Sequence, residues 1–268
     1  MNSKENNFST LIKSSLAIAP IKKQSNKLYF RDCDRNEQPS DSFDRIKFFF
    51  KKYPNFYSFL INYISPVFSS QRPLNKFLHS VDGIVLNIGS GNSRRKTGIL
   101  NVDMTDYENV DIICDIHALP FKDESVDAIF NIAVLEHVKS PQFVLKEIHR
   151  VLKPDGKVFS VIPFMQPFHA SPNDFQRYTL PGIEILHYEF EKVDGGVYSG
   201  PISGALWVFQ ECLASILSFG SPMLRNYLTI LLMCLTWPIK FIDFFTAKLK
   251  TAQNLASTFY FHGKKVKK

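Results

Sequence analysis

Apolar residues follow three successive patterns along the chain. From Gly83 to about Gly200, short apolar runs (Ile84–Ile88, Val110–Cys114, Asp127–Ile132 and Lys157–Ile162) alternate with helix-like stretches. Runs this short and apolar on both faces suit parallel strands covered by helices on either side. The clearest helix lies between the last two runs. Ser140 stands as its cap, Pro141 in its first turn, Val144, Ile148, Val151 and Leu152 on one face, and Pro154 and Gly156 at its end. Upstream, Asp41–Ser80 carries Phe56, Phe59, Leu60, Tyr63 and Ile64 at helical spacing, which predicts one or two helices broken at Pro54, Pro66 and Pro73. Downstream, Ile202–Phe219 and Met223–Phe245 are apolar and helical in length, with Gly220-Ser221-Pro222 between them.

These patterns divide the chain into a mobile arm over 1–40, N-terminal helices over 41–80, an α/β domain over 81–200, and an apolar helical extension with a basic tail over 201–268. The longest charge-free apolar run of the extension, Tyr227 to Ile239, falls short of the roughly 20 residues that cross a bilayer. Glu211, Arg225 and Lys240 interrupt the rest. A helical hairpin lying in a membrane interface is therefore expected, helped by Trp237 and the lysine-rich end. A helical subdomain packed on the α/β domain, or on a second copy, is the other reading.

Charge bears on partners. The 268 residues carry a net charge of +7, and the terminal segments hold much of the lysine, including Lys248, Lys250, Lys264, Lys265, Lys267 and Lys268. That balance suits an anionic surface, or serves solubility alone. Cys33, Cys114, Cys212 and Cys234 lie far apart without CxxC or Cys/His spacing, which argues against structural zinc and against a disulfide framework. No metal is expected, and the absence of a secretory signal points to the cytoplasm, with peripheral contact at the inner face of a membrane.

The candidate chemistry sits at the strand ends. Ile84–Ile88 runs into Gly89-Ser90-Gly91, where a backbone without Cβ atoms can approach a ligand at the carboxyl edge of the sheet. Asp103 follows Ile99–Val102, and a carboxylate there can accept hydrogen bonds from both hydroxyls of a ribose. Asp115, in Cys114-Asp115-Ile116-His117-Ala118-Leu119-Pro120-Phe121, can accept from an adenine amine with Ile116 flanking the ring. Asp127–Asn131 then leads into Ala133-Val134-Leu135-Glu136-His137-Val138, and Leu152–Val158 forms a helix–turn–strand junction. Each piece has a plainer reading: Asp103 as a turn cap, Asp115 as an Asx-turn residue, His137 as a satisfied helix-start histidine.

In this order, the set resembles the class I S-adenosylmethionine-dependent methyltransferases, in particular the broad UbiE-like or type 11 group. The resemblance implies a Rossmann-like α/β sheet with helices on both faces, here joined by the N-terminal helices and the C-terminal apolar hairpin. It implies S-adenosylmethionine as cofactor, with Asn87, Gly89, Ser90 and Gly91 at its methionine part and Asp103 and Met104 at the ribose. Asp115, Ile116 and His117 would stand at the adenine, and Asn131, Ala133 and His137 on the floor of the site. Two departures matter. Family members usually carry an acid where Asn87 stands. Eleven residues separate Gly91 from Asp103, too few for an ordinary crossover helix, so that helix must be missing or reduced to a turn.

After the fourth run comes Pro163–Thr179, with His169, Asp174, Arg177 and Tyr178. The pattern His-x-x-Pro-x-Asp-x-x-Arg-Tyr-Thr resembles a loop of methyltransferases associated with surface-glycan and lipid-linked sugar pathways. His169 is the candidate general base for O-methylation, with Asp174 orienting it and Arg177 binding an anionic group. A structural Asp174–Arg177 ion pair is the alternative. The expected acceptor is a small molecule, glycan or lipid-linked compound, with peripheral membrane contact through 201–268. Two rival functions remain: a membrane scaffold with a degenerate cofactor fold, and a nicotinamide-dependent oxidoreductase, which the absent GxGxxG disfavours. Nucleic acid is not expected, because the basic clusters are terminal and no Asn/Asp-Pro-Pro-Tyr/Phe-like tetrapeptide occurs.

Overall fold

The computed structural model describes residues 12, 14–24, 27–31, 53, 63–93, 96–169 and 173–266. Its centre is one nine-stranded sheet. In chain order the strands are β1 (Lys22–Gln24), β2 (Lys27–Tyr29), β3 (Val85–Ile88), β4 (Ile99–Asp103), β5 (Ile112–Ile113), β6 (Val126–Ile132), β7 (Leu152–Pro163), β8 (Phe190–Ser199) and β9 (Thr258–Lys265). They lie side by side as β1-β2-β5-β4-β3-β6-β7-β9-β8. Strands β2, β5, β4, β3, β6 and β7 run parallel to one another, whereas β9 runs antiparallel between β7 and β8.

The order reverses at β3, whose neighbours are β4 on one side and β6 on the other. That is the topological switch point where open α/β sheets bind ligands beyond the carboxyl ends of their strands. Helices α1 (Arg72–His79), α2 (Pro141–Val151) and α3 (Leu180–Leu186) accompany the sheet. Ile84, Leu86, Ile88, Val102 and Ile129 join Val144, Ile148 and Val151 of α2 in one core. In a second core, Phe77 of α1 packs against Phe130 and Phe159. The residues connecting β3 and β4 include no helix among those described, as the short spacing requires.

Three expectations change. Part of the supposed mobile arm is ordered: β1 and β2 form a hairpin that extends the sheet beyond β5. Tyr29 is buried there with Val110 and Ile113, and the Lys27 ammonium reaches Asp106 Oδ1 at 2.6 Å. Second, Pro73 sits in the first turn of α1 rather than breaking a helix, while Pro54, Phe56, Phe59 and Leu60 lie outside the described residues.

Third, the helical extension does not run to the end of the chain. Helices α4 (Pro201–Leu217), α5 (Pro222–Thr236) and α6 (Asp243–Thr246) form an insertion between two strands of the sheet, since β9 returns between β7 and β8. The supposed basic tail is therefore largely sheet: Lys264 pairs with Glu191, and Lys265, almost fully buried, donates to Leu152 O at 2.9 Å. Aromatic and β-branched residues at Thr258–Phe261 favour a strand with both faces covered, which outweighs the two lysines. The insertion is anchored at its root. Asp243 is buried and accepts from Ile202 N at 3.0 Å and Ser203 N at 2.8 Å, so it caps α4 from a distance.

Candidate active site

The turn after β3 takes a backbone that favours glycine. Gly89 and Gly91 hold φ values of +63° and +55°, in the left-handed region open to glycine. A Cβ on Gly89 would stand 2.5 Å from Val134 Cγ2, so this glycine lets the turn pack on the loop after β6. At Gly91 nothing lies within 4 Å of a Cβ position, and the turn there faces open space. Gly91 N donates to Asp103 Oδ2 at 2.8 Å, and Thr105 N to Asp103 Oδ1 at 2.9 Å. Asp103 thus ties the carboxyl ends of β3 and β4 together, and a carboxylate oxygen can accept more than one such bond.

Asn87 does not face a ligand alone. Its Nδ2 donates to Asn101 Oδ1 at 3.0 Å, and Asn101 in turn donates to Ser93 O and Asn109 O. The amide pair at Asn87 and Asn101 stitches the short crossover to the strands in place of a helix. Ser90 is buried within the turn, and Met104 is exposed beside Asp103. Asp115 forms an Asx turn, accepting from His117 N at 2.9 Å and lying 2.7 Å from His117 Nδ1. Desolvation raises its pKa, but the hydrogen bonds and charge of His117 outweigh that and leave the carboxyl below its ordinary value. Ile116 packs against the core edge.

These groups fit an adenosyl ligand: an open glycine turn, a carboxylate at the end of β4, and an acid next to an apolar side chain after β5. Asn131 does not join them on the floor. It is fully buried on β6, where Nδ2 donates to Ser160 Oγ at 2.9 Å, and Ser160 Oγ lies 2.9 Å from Nε2 of buried His187. Ala133 is exposed and holds φ at +54°, a strained value for alanine at the mouth of β6.

A second constellation forms where the ends of β6 and β7 meet. The turn Leu135–His137 follows β6, and the loop from Phe164 to Thr179 follows β7. Phe175 N donates to Glu136 O at 2.8 Å, and Gln176 Nε2 donates to Val138 O at 2.8 Å, so the loop is sewn to the turn. Asp174 and Arg177 fasten the loop to itself. Arg177 reaches both oxygens of Asp174 and donates to Pro167 O at 3.1 Å, while Asp174 Oδ2 accepts from His169 N at 2.8 Å. These two residues, expected in catalytic roles, are placed as a latch. Desolvation raises the Asp174 pKa, but Arg177 and the His169 amide more than reverse this.

The latch sets His169 over the turn. His169 Nε2 lies 4.0 Å, and His137 Nε2 3.8 Å, from Oε1 of Glu136. Glu136 is 0% exposed, and neither of its oxygens has a hydrogen-bond partner among the described residues. Burial pushes its carboxyl up to about 8, opposed by the dipole of its own amide and by the Arg177 charge. Burial also lowers the His169 pKa, opposed by the Pro167 carbonyl and aided by the Arg177 charge, which favours the neutral imidazole. The Trp207 ring of α4 stands 5.5 Å from that of His169, which brings the insertion over the site. Glu136 and Trp207 were not singled out from sequence. An acid between apolar Leu135 and Val138 at a strand end was the available signal for Glu136, whereas nothing local marks Trp207.

Residues 93–160 match the family described as "Methyltransferase domain". No curated protein matches the chain. Among solved structures, the chain is similar to a putative sarcosine dimethylglycine methyltransferase from Galdieria sulphuraria (15% identity, TM-score 0.49, 84% of this chain and 99% of that one). It is also similar to a possible histamine N-methyltransferase from Thermotoga maritima (16%, TM-score 0.47, 81% and 98%). A third is the Haemonchus contortus phosphoethanolamine N-methyltransferase 2 in complex with S-adenosyl-L-methionine (16%, TM-score 0.48, 85% and 60%).

Proposed function

We propose that this chain, whose residues 93–160 match a methyltransferase domain, is a class I S-adenosylmethionine-dependent methyltransferase that methylates a hydroxyl of a lipid-linked or glycan-like acceptor at a membrane surface. When bound, S-adenosylmethionine supplies a methyl group already activated by its sulfonium, so the protein's task is alignment and proton removal. On this reading Gly89, Gly91 and Asp103 hold the methionine and ribose parts, and Asp115 and Ile116 the adenine. Asn87 stands where an acid is usual, so the ammonium is met by a neutral side chain.

One observation carries the acceptor side: His169 is held beside buried Glu136 at the carboxyl edges of β6 and β7, against Trp207 of an insertion that exposes many apolar side chains. His169 Nε2 would take the acceptor's hydroxyl proton as the methyl group passes from the sulfonium sulfur to the acceptor oxygen, with S-adenosylhomocysteine as the leaving group. Asp174 and Arg177 are positioning residues that keep the ring there.

The insertion supports a membrane location. Phe219 and Met223, at the turn between α4 and α5, are 91% and 82% exposed, and Tyr227, Leu235 and Phe245 add further exposed apolar side chains. Large exposed apolar patches mark interaction surfaces. The stretch Pro222–Thr246 is 25 residues long and apolar enough to cross a bilayer by composition alone, with little of it buried. We read it as lying in the interface, because Arg225, Lys240 and Asp243 interrupt it and α5 gives way to a 3-10 turn at Trp237. Between the insertion and the 166–168 loop lies a cleft of about 350 Å³, lined by Phe168, Val208 and Cys212 and by the Glu211–Arg225 pair.

The test is mass spectrometry of lipid and glycan extracts from cells with and without the protein. A species lighter by one CH2 in the deficient cells is expected, and extracts identical in both would remove the acceptor assignment. Membrane contact is read separately by liposome flotation of the full chain carrying Phe219→Asp and Met223→Asp. Truncation after Pro201 is unsuitable because it deletes β9. Undiminished flotation of the double variant would contradict the interface reading.

A further inference from the structure

We infer that Glu136, His137 and His169 form a binding site for a divalent transition-metal ion of the zinc class. The inference rests on the reading of this cluster as the place where the acceptor is activated, and replaces the base role of His169 there with that of a metal ligand. One ligand atom from each residue lies within 4.8 Å of the others. Ligands about 2.1 Å from a tetrahedral ion stand about 3.4 Å apart. The observed 3.8 and 4.0 Å therefore require closure by about half an ångström.

Three features of the surroundings favour a cation. Glu136 is completely buried, and its carboxylate has no hydrogen-bond partner among the described residues. An uncompensated carboxylate in that position is costly, and the Arg177 guanidinium is already held by Asp174. A cation between Glu136 and the two imidazoles supplies the missing countercharge.

The second feature is the orientation of the rings. His137 Nδ1 faces Asn173 O, and His169 Nδ1 lies 3.1 Å from Pro167 O. A carbonyl accepts but never donates, so Nδ1 of His137 carries the proton and its Nε2 lone pair is turned toward Glu136, while His169, whose Nδ1 also lies 3.3 Å from the Arg177 Nη2 donor, turns its Nε2 to the same carboxyl. Histidine ligands of metal ions are usually oriented in this way, with the second ring nitrogen donating to a carbonyl. Two imidazole nitrogens and one carboxylate suit zinc, cobalt(II) or iron(II) better than magnesium or calcium, which favour oxygen.

The third feature is position. Three protein ligands leave a coordination position open, as in metal sites that act on a substrate. The cluster lies at the carboxyl edge of β6 and β7, where an acceptor must meet the methyl group. An acceptor hydroxyl bound at the open position would have its pKa lowered and release its proton to water, with His169 then a ligand rather than a base.

The experiment uses the full chain, stripped with chelator and titrated with Zn2+ by calorimetry and with Co2+ by visible absorption. One equivalent per chain is expected, with a cobalt spectrum of low coordination number. Glu136→Gln and His169→Gln should each weaken binding by about 100-fold or more, since loss of even a supporting group costs about 10–100-fold. Circular dichroism establishes whether Glu136→Gln folds, and His169→Gln, at a partly exposed position, provides the second variant. Absence of stoichiometric binding, or unchanged affinity in folded His169→Gln, overturns the inference. S-adenosylhomocysteine binding, followed by thermal shift on the same samples, separates the two readings. Its presence without metal binding removes the metal site alone, and metal binding without it supports the site while removing the cofactor assignment.

Discussion

Lowering the pH should destabilise this protein through His187, which lies far inside the fold. The imidazole is fully buried, stacked on Phe261 of β9 with ring centroids 4.4 Å apart. Nδ1 lies 2.8 Å from Ile183 O and therefore carries the proton, while Nε2 accepts from Ser160 Oγ at 2.9 Å. A second proton on the ring would break that acceptance and place a charge in a largely apolar core. Burial accordingly lowers its pKa to about 4, opposed in part by the Ile183 carbonyl.

The sign follows from linkage. Between the unfolded value near 6.5 and the folded value near 4, the unfolded chain binds a proton that the native protein excludes. Stability is therefore complete above pH 6.5 and falls as the pH drops through this window, by about 1.4 kcal/mol per unit and about 3 kcal/mol in all. Urea denaturation of the wild type and His187→Gln, at pH 7, 6, 5 and 4, isolates the contribution. The variant is less stable at neutral pH but should lack this part of the slope. Equal slopes for the two proteins across the window would refute the reasoning.

The two glycines of the first turn should behave differently. Gly91→Ala is expected to cost about 1 kcal/mol, from its left-handed backbone alone, yet to abolish the thermal shift given by S-adenosylhomocysteine. Gly89→Ala, whose Cβ would meet Val134 at 2.5 Å, should cost about 2–3 kcal/mol by urea denaturation, and equal stability losses in both would contradict the packing described. Asp243→Ala should destabilise by about 2 kcal/mol, because two amides at the start of α4 lose their acceptor; a loss below about 0.5 kcal/mol would mean that another group caps the helix.

Much of the parallel sheet was legible because its signals are local. Val85–Ile88, Ile99–Asp103 and Val126–Ile132 are strands as their apolar runs predict, and α2 begins at Pro141 as expected, although Ser140 makes no side-chain cap and the helix ends at Val151, with Pro154 and Gly156 already inside β7. The short crossover was likewise readable, from spacing alone. The carboxyl-edge motifs pointed to a methyltransferase domain without any tertiary information, and residues 93–160 match the family of that description.

What escaped was set by contacts distant in sequence. Thr258–Lys265 looks like a lysine-rich tail until its partners across β7 and β8 are known, and Lys27–Tyr29 joins the sheet through Asp106, Val110 and Ile113, far along the chain. Asp174 and Arg177 could equally have served a substrate or each other, and only the fold, by bringing both guanidinium nitrogens onto one carboxylate, decided for the latch. Glu136 and His137 are adjacent in the chain, yet their juxtaposition with His169 required β6 and β7 to lie side by side. Periodicity and turn chemistry are encoded by neighbours along the chain and can be read there. Burial, charge pairing and the convergence of Glu136, His137 and His169 depend on which strands become neighbours in space, and that was decided by the assembled sheet.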